Sequence, residues 1–528
     1  MFNRSSNRVR VALQSQLYPM LVLAALLKRL GLASMIPLSG TFPALLAQPA
    51  QAETFPPYCQ QVPAAIAQKE KLQREAVNGN REAQNKYKAL LGQHAERLKQ
   101  CRNQTWPQNQ AIWIRLYPCD VKPGVLDSVL DRIVDRGYNQ VYVEAFYNGR
   151  VLLPANQNPT PWYSVLTGSG ADNEDLLAQT IQKGRDRGLK VHAWLFGMNF
   201  GSSYVRRFDR QRATARNGLG QTSLTANIVE GLSTELGQYN PDEAFIDPYS
   251  PQVRQDYETL IAAIAQRRPD GILVDYIRYP RGYGAASVAS KVQDLWIYGE
   301  ASQQTLLQRA RNAKSSTLLQ RFLSQGALRV DDLKAVMQQF PQEKDMVWQG
   351  LNPVTLPKSP PSAQQAAKLQ SDLWRLSVSH AAQGVIDFVN HAVSTIRNQR
   401  VPVGLVFFPE GNATVGQGYD SRLQLWDRFP ASAEWHPMSY GICGNTSCIM
   451  QQIQRVLNQT PPGTEVKPVL AGIWQQPLGN RPPLEAQMQV LRSLAPQIKT
   501  VSHFAYSWQE PGSDRERKAC SARQGSVR

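Results

Sequence analysis

Gly271–Pro280 reads GILVDYIRYP, and the reading of this stretch decides the fold. The apolar residues Ile272, Leu273 and Val274 run into an acid, Asp275, with Arg278, two tyrosines and a proline just beyond. Pro269-Asp270-Gly271 punctuates the run in front. The pattern predicts a buried parallel strand that delivers a carboxylate to its C-terminal edge. That edge carries the chemistry of α/β barrels. The plain alternative is a strand-end acid that only caps the following segment.

Seven further apolar runs surround it. Ala111–Tyr117 (AIWIRLY), Gln140–Phe146 (QVYVEAF) and Lys190–Phe196 (KVHAWLF) come before it. Pro402–Phe408 (PVGLVFF), Ala433–Tyr440 (AEWHPMSY), Lys467–Trp474 (KPVLAGIW) and Thr500–Trp508 (TVSHFAYSW) come after. Helical segments fall between most of them: Val125–Arg136, Asn173–Arg187, Pro251–Arg267, Ala381–Gln399 and Leu484–Ala495. Gly137 and Gly188 suit helix C-caps. Strands alternating with helices predict an α/β protein with a closed (β/α)8 TIM barrel. The rival, an open doubly wound sheet, normally carries a Gly-rich phosphate loop after an early strand, and the sequence has none.

The barrel is expected over 111–510, preceded by a helical segment at 53–110 in which Pro63–Lys99 has helical composition. Two gaps exceed plain loops, Gly197–Pro269 after strand three and Arg281–Ala381 after strand four. Both are expected to carry helical insertions. In the second the expected pieces are Ala289–Gln308, Leu318–Gln339 and Ala363–Ser379. The tail, 511–528, is expected to be disordered apart from Cys520.

Export is expected. Arg4, Arg8 and Arg10 precede two apolar stretches, and Ala50-Gln51-Ala52 offers a cleavage signal, so 1–52 reads as a signal peptide. An uncleaved anchor is the alternative. Six cysteines fit an oxidising compartment outside the cytoplasm, periplasmic or extracellular. Cys443/Cys448 and Cys59/Cys101 are plausible pairs, with Cys119 and Cys520 left over and connectivity open. The chain has 58 Lys and Arg against 41 Asp and Glu, a net charge of +17. These charges are scattered and form no nucleic-acid module, so no nucleic-acid partner is expected. They suit association with an anionic envelope surface. No metal-ligand spacing is present, and neither metal nor cofactor is expected. The sequence leaves the oligomeric state open.

Polar and aromatic residues recur at or beyond the strand ends. They are Glu144, Trp194, Asn199, Asp275, Arg278, Glu410, His436, Tyr440, Trp474 and Trp508. Acids and tryptophans in one cleft suit glycosidic cleavage, which needs a protonated carboxyl and an ionised one. Asp275 is the first candidate. Glu410, in FFPEG just after strand five, is its first partner, and its apolar neighbours would raise its pKa. Glu144 is the reserve, with a structural pair to Arg115 as its alternative. Arg278 is expected to hold Asp275 ionised. Trp194, Asn199, Arg278, His436, Tyr440, Trp474 and Trp508 are the candidate substrate contacts, with core packing the alternative for the aromatics and the histidine. Asp247 reads as an N-cap of the helix before strand four.

DGILVDYIRYP at Asp270–Pro280, the start DPYSPQVRQDY at Asp247–Tyr257 and HAWL at His192–Leu195 resemble the glycosyl hydrolase-like 10 family. The resemblance spans roughly Ala111 to Trp508. It implies an exported bacterial (β/α)8 protein acting on envelope glycans, peptidoglycan among them. It carries over most directly to Asp275, Arg278, Trp194 and Tyr440. Three features depart from the family: Pro437-Met438-Ser439-Tyr440 in place of Pro-Gln-x-Tyr, the acid at Glu410, and the long insertion after strand four. The expected function is cleavage of glycosidic bonds in a polysaccharide or envelope glycan. The alternative is a barrel that binds glycan without cutting it. Metal-dependent deacetylation would need an Asp/His/His cluster that the sequence does not assemble.

Overall fold

The computed structural model describes residues 56–226, 242–357 and 360–525. The expected leader, 1–52, lies outside the described residues. Eight parallel strands are present: β1 (Asn109–Ile114), β2 (Gln140–Tyr147), β3 (Lys190–Phe196), β4 (Gly271–Asp275), β5 (Val403–Phe407), β6 (Glu434–Ser439), β7 (Val469–Ala471) and β8 (Thr500–Phe504). Each pairs with the next, and β8 returns to β1 with Asn109 opposite Thr500 and Ile112 opposite His503. The sheet is therefore closed, as alternating strands and helices predicted. β4 and β5 are buried throughout, because helices cover one face of the barrel wall and packed side chains fill the other.

The outer helices form where the apolar spacing requires. In Val125–Asp135 the buried apolar positions are Leu126, Val129, Leu130, Ile133 and Val134, one stripe at helical period. The chain turns at Gly137, with φ of 80°, where a Cβ would lie 2.1 Å from the Tyr58 carbonyl oxygen. Glycine is required there for both conformation and space. Trp113 fills the interior, edge-on to Tyr142 and to Trp194 with centroids 4.9 Å away in each case.

The segment before the barrel forms two helices, Pro63–Val77 and Arg81–Gln104, broken at Asn78-Gly79-Asn80. The Cys59–Cys101 disulfide ties its ends, and Cys443–Cys448 closes a second small loop. Cys119 is disulfide-bonded too. Lys69 pairs with Asp135, and Tyr87 donates to Asp131 at 2.6 Å, which docks the segment on the helix after β1.

After β3 the described residues hold short helical turns at Ser202–Val205 and Gln211–Ala213, pinned by bridges, before the helix Pro251–Ala265, and the rest of the expected insertion, 227–241, lies outside the described residues. Three expectations are corrected. After β4 the first long helix starts at Glu300 rather than Ala289, and Leu318–Gln339 divides into Ala313–Gln325 and Val330–Gln339 at Gly326. Ala363–Ser379 and Ala381–Gln399 are one helix, Ala363–Asn398, because nothing at Ser379-His380-Ala381 breaks it. The tail is a helix, Pro511–Gly525, where disorder was expected.

Asp247 does not cap the helix that follows it. One carboxylate oxygen accepts from Tyr249 N at 3.0 Å. The other accepts from Ser302 N at 2.8 Å, at the start of Glu300–Leu307. It joins the two excursions as a cap across 55 residues. Asp247→Ala strips a buried helix terminus of its acceptor and is expected to lower stability by about 1–3 kcal/mol, read from urea unfolding. An unchanged unfolding midpoint would show the cap to be idle.

Candidate active site

Asp275 ends β4 and is buried. Its carboxyl accepts from Trp194 Nε1 at 3.2 Å and from Tyr276 N at 2.6 Å. Burial pushes the carboxyl up to about 6, against the pull of the Tyr276 N–H, the Arg278 charge and the Trp194 N–H, with Glu144 adding to the rise. Arg278 does favour the ionised form of Asp275, as expected, but burial outweighs it. The Arg278 guanidinium stacks 4.7 Å from the Tyr276 ring centroid, 5.5 Å from Phe245 and 5.8 Å from Phe408, and donates to Tyr279 O at 3.0 Å.

The expected carboxylates behave differently. Glu144 is buried and accepts from both Nε and Nη2 of Arg115, the latter at 3.0 Å, so the structural alternative for this residue is the one observed. The β2–β3 register skips a residue between Glu144 and Phe146, a bulge that turns the strand end beside this pair. Glu410 lies three positions past the end of β5, half-buried, and accepts from Gln452 Nε2. Gln452 sits on Ser447–Gln459, a helix that sequence reading missed although Ile449, Met450, Ile453 and Val456 repeat at helical spacing.

The aromatic residues divide. Trp194 faces Asp275, but it is 7% exposed and packs on Trp113, so little of its ring is open to a sugar. Tyr440 and Trp508 are half-buried and flank Phe504, at 5.8 and 5.4 Å between centroids. Burial and the Asp275 charge together hold the Tyr440 phenol well above its usual value. Phe504 stands 6.4 Å from Trp194. Asp275, Trp194, Tyr440, Phe504 and Trp508 thus share one end of the barrel.

Three expected contacts lie elsewhere. His436, two residues into β6, is fully buried and its Nε2 meets Glu434 at 3.3 Å. Glu434 in turn pairs with Lys467 at 2.7 Å, so His436 belongs to the interior near the strand start. Trp474 donates to the Tyr138 hydroxyl at 3.2 Å and packs with Leu484, Met488 and Leu491 on the outside of the barrel wall. Asn199 is fully buried and its side-chain oxygen accepts from Gly201 N and Ala244 N, a loop-pinning role.

Sequence reading missed Glu243. It is half-buried and accepts from Tyr276 Oη at 3.0 Å. Burial raises its carboxyl, and Arg278 and the Tyr276 hydroxyl oppose the rise. No local signal marks it, because pairing across the β3 excursion brings it there. Among the described residues no three His, Cys, Asp or Glu are grouped to hold a metal ion. No described helix is long and apolar enough to cross a membrane.

Several solved glycan-acting enzymes are similar. The PgaB (BpsB) glycoside hydrolase domain from Bordetella bronchiseptica is 15% identical over 78% of this chain and 99% of its own, with a TM-score of 0.41. The catalytic domain of beta-amylase from Paenibacillus polymyxa is 8% identical over 79% and 98%, with a TM-score of 0.46. A catalytic module of the pneumococcal exo-beta-D-N-acetylglucosaminidase StrH is 9% identical over 81% and 85%, with a TM-score of 0.38. No curated protein matches the chain. Residues 111–325, which hold β1 to β4 and the start of the long insertion, match the family model described as Glycosyl hydrolase-like 10, the family that DYIRYP and HAWL resemble.

Proposed function

We propose that this protein is a glycoside hydrolase that cleaves O-glycosyl bonds in a polysaccharide or cell-envelope glycan, with Asp275 as the proton donor. The observation that carries the reading is a buried strand-end carboxyl raised to about 6 despite two N–H donors and a nearby guanidinium. A glycosidic leaving oxygen needs such an acid, one whose pKa is raised from the usual carboxylate range toward neutral pH. Tyr440, Phe504 and Trp508 supply apolar ring surface beside it for the C–H faces of sugars. Peptidoglycan is the first substrate to test. The Arg-rich start, the apolar stretches and Ala50-Gln51-Ala52 support export to the periplasm or beyond, and the disulfides suit that compartment.

The sign of the pH dependence follows from the donor role. A donor acts only while protonated, so kcat/KM is expected to fall as pH rises through about 6. Reducing-end release from peptidoglycan sacculi and soluble polysaccharides, followed across pH, tests this. A rate that climbs through the same range would remove Asp275 as donor. Binding without cleavage on every glycan would favour a non-catalytic barrel, a reading that the Glu144–Arg115 pairing also favours, since it occupies one expected carboxylate.

A further inference from the structure

We propose that Glu243 is the second carboxyl of this site, the base that takes a proton from the attacking water, and that cleavage inverts the anomeric configuration. The inference rests on the reading of Asp275 as proton donor. Three independent observations support it.

The first is backbone pairing. Beyond the last residue of β3 the chain bends through Gly197–Phe200 and hydrogen-bonds to two other segments. Toward one, Gly197 N donates to Asp275 O at 2.6 Å and Met198 N to Tyr276 O at 3.0 Å. Toward the other, Phe200 N donates to Ala244 O at 2.9 Å and Ile246 N to Met198 O at 3.0 Å, with Asn199 bridging Phe245. One short stretch thus fixes the end of β4 and the segment carrying Glu243 side by side.

The second is Tyr276. Its φ is +52°, a left-handed value that is strained for an aromatic residue. The Phe196 ring, stacked at 4.1 Å, holds it there. In this conformation its N–H meets the Asp275 carboxyl and its hydroxyl meets Glu243. One strained residue therefore touches both acids, one at each end. Carboxyls held at opposite ends of a tyrosine suit the wider spacing of inverting enzymes, about 6.5–9.5 Å, which leaves room for water, rather than the ~5–5.5 Å of a covalent route.

The third is exposure. Asp275 is buried while Glu243 keeps part of its surface open to solvent, so Glu243 is the acid that an attacking water can reach. In the step, Asp275 gives its proton to the leaving glycosidic oxygen as the bond from the anomeric carbon to that oxygen breaks. Water bonds to the anomeric carbon from the opposite face and loses a proton to Glu243. Asp275 ends as carboxylate and Glu243 as acid, and solvent resets both.

The test uses the full chain on whichever of peptidoglycan sacculi or soluble polysaccharides the wild type cleaves. Glu243→Gln keeps the acceptor for Tyr276. It is expected to lower kcat at least 100-fold with KM within about threefold, to retain the fall in rate near pH 6, and to leave Tm unchanged. Proton NMR of the first product is expected to show the inverted anomer. A Glu243→Gln enzyme within threefold of wild-type kcat, or a product of retained configuration, overturns the proposal while Asp275 stays the donor. Loss of cleavage with a Tm drop of many degrees is resolved by Glu243→Asp, which must then recover part of kcat with the pH limb of the base displaced; no recovery counts against it. If wild type cuts nothing, the hydrolase reading falls, and this one with it.

Discussion

Asp275→Asn is expected to lower glycan cleavage by about 10²–10⁴-fold while glycan binding persists. Asparagine fills the same space and still accepts one N–H, from Tyr276 or Trp194. The other donor loses its acceptor, a cost of about 1–3 kcal/mol that a barrel of this size tolerates. What disappears is the proton. With the carboxyl raised to about 6, asparagine matches its protonated, donor-competent form in charge and shape, so binding should change little below that pH. Tyr440, Phe504 and Trp508 remain to hold sugar rings. Paired measurements of reducing-end release and glycan pull-down separate the two effects. A variant that cuts as well as wild type would remove Asp275 from the chemistry.

Arg517→Ala is expected to cost about 3–5 kcal/mol of stability, more than removal of the Asp247 cap. Arg517 lies on the C-terminal helix and grips Asp120 with two bonds, at 2.7 and 2.6 Å, and a third reaches Arg115 O at 2.9 Å. The side chains are 4% and 0% exposed. Removal of the guanidinium leaves a buried carboxylate with its charge unmet. Asp120 also accepts from Tyr117 N at 2.8 Å, so the turn after β1 loosens as well. Urea unfolding measures the loss. Asp120→Asn combined with Arg517→Gln should be less destabilised than Arg517→Ala, because no uncompensated charge stays inside. A change under about 1 kcal/mol for Arg517→Ala would show that this tail is not part of the cooperative fold.

The same residues show what sequence can and cannot display. GILVD and its companions are local signals: apolar runs bounded by glycine and proline whose order alone implies a closed barrel. The place of Asp275 was legible because it depends only on where a strand stops. The acid of QVYVEAF was read first as a reserve catalytic carboxylate, and its alternative, a pair with Arg115 on the neighbouring strand, is the arrangement found. His436 and Trp474 were misplaced because their positions depend on which side of the wall a side chain takes and how far along the strand it sits. The tail has no amphipathic repeat, and its anchor is an aspartate 397 residues away. Glu243 depends on a pairing between Asn199 and Phe245 that no window of sequence contains.

The junction of β1 with β8 governs how the molecule can be made. Asn109 and Thr500, which meet there, are 391 residues apart, and the Asp120–Arg517 clasp spans 397. A nascent chain emerges N-terminus first. One edge of β1 therefore has no partner until β8 has emerged, and an unpaired strand edge is a template for another chain. A polypeptide stalled or clipped before Thr500 is then not a shorter barrel but an aggregation-prone open sheet.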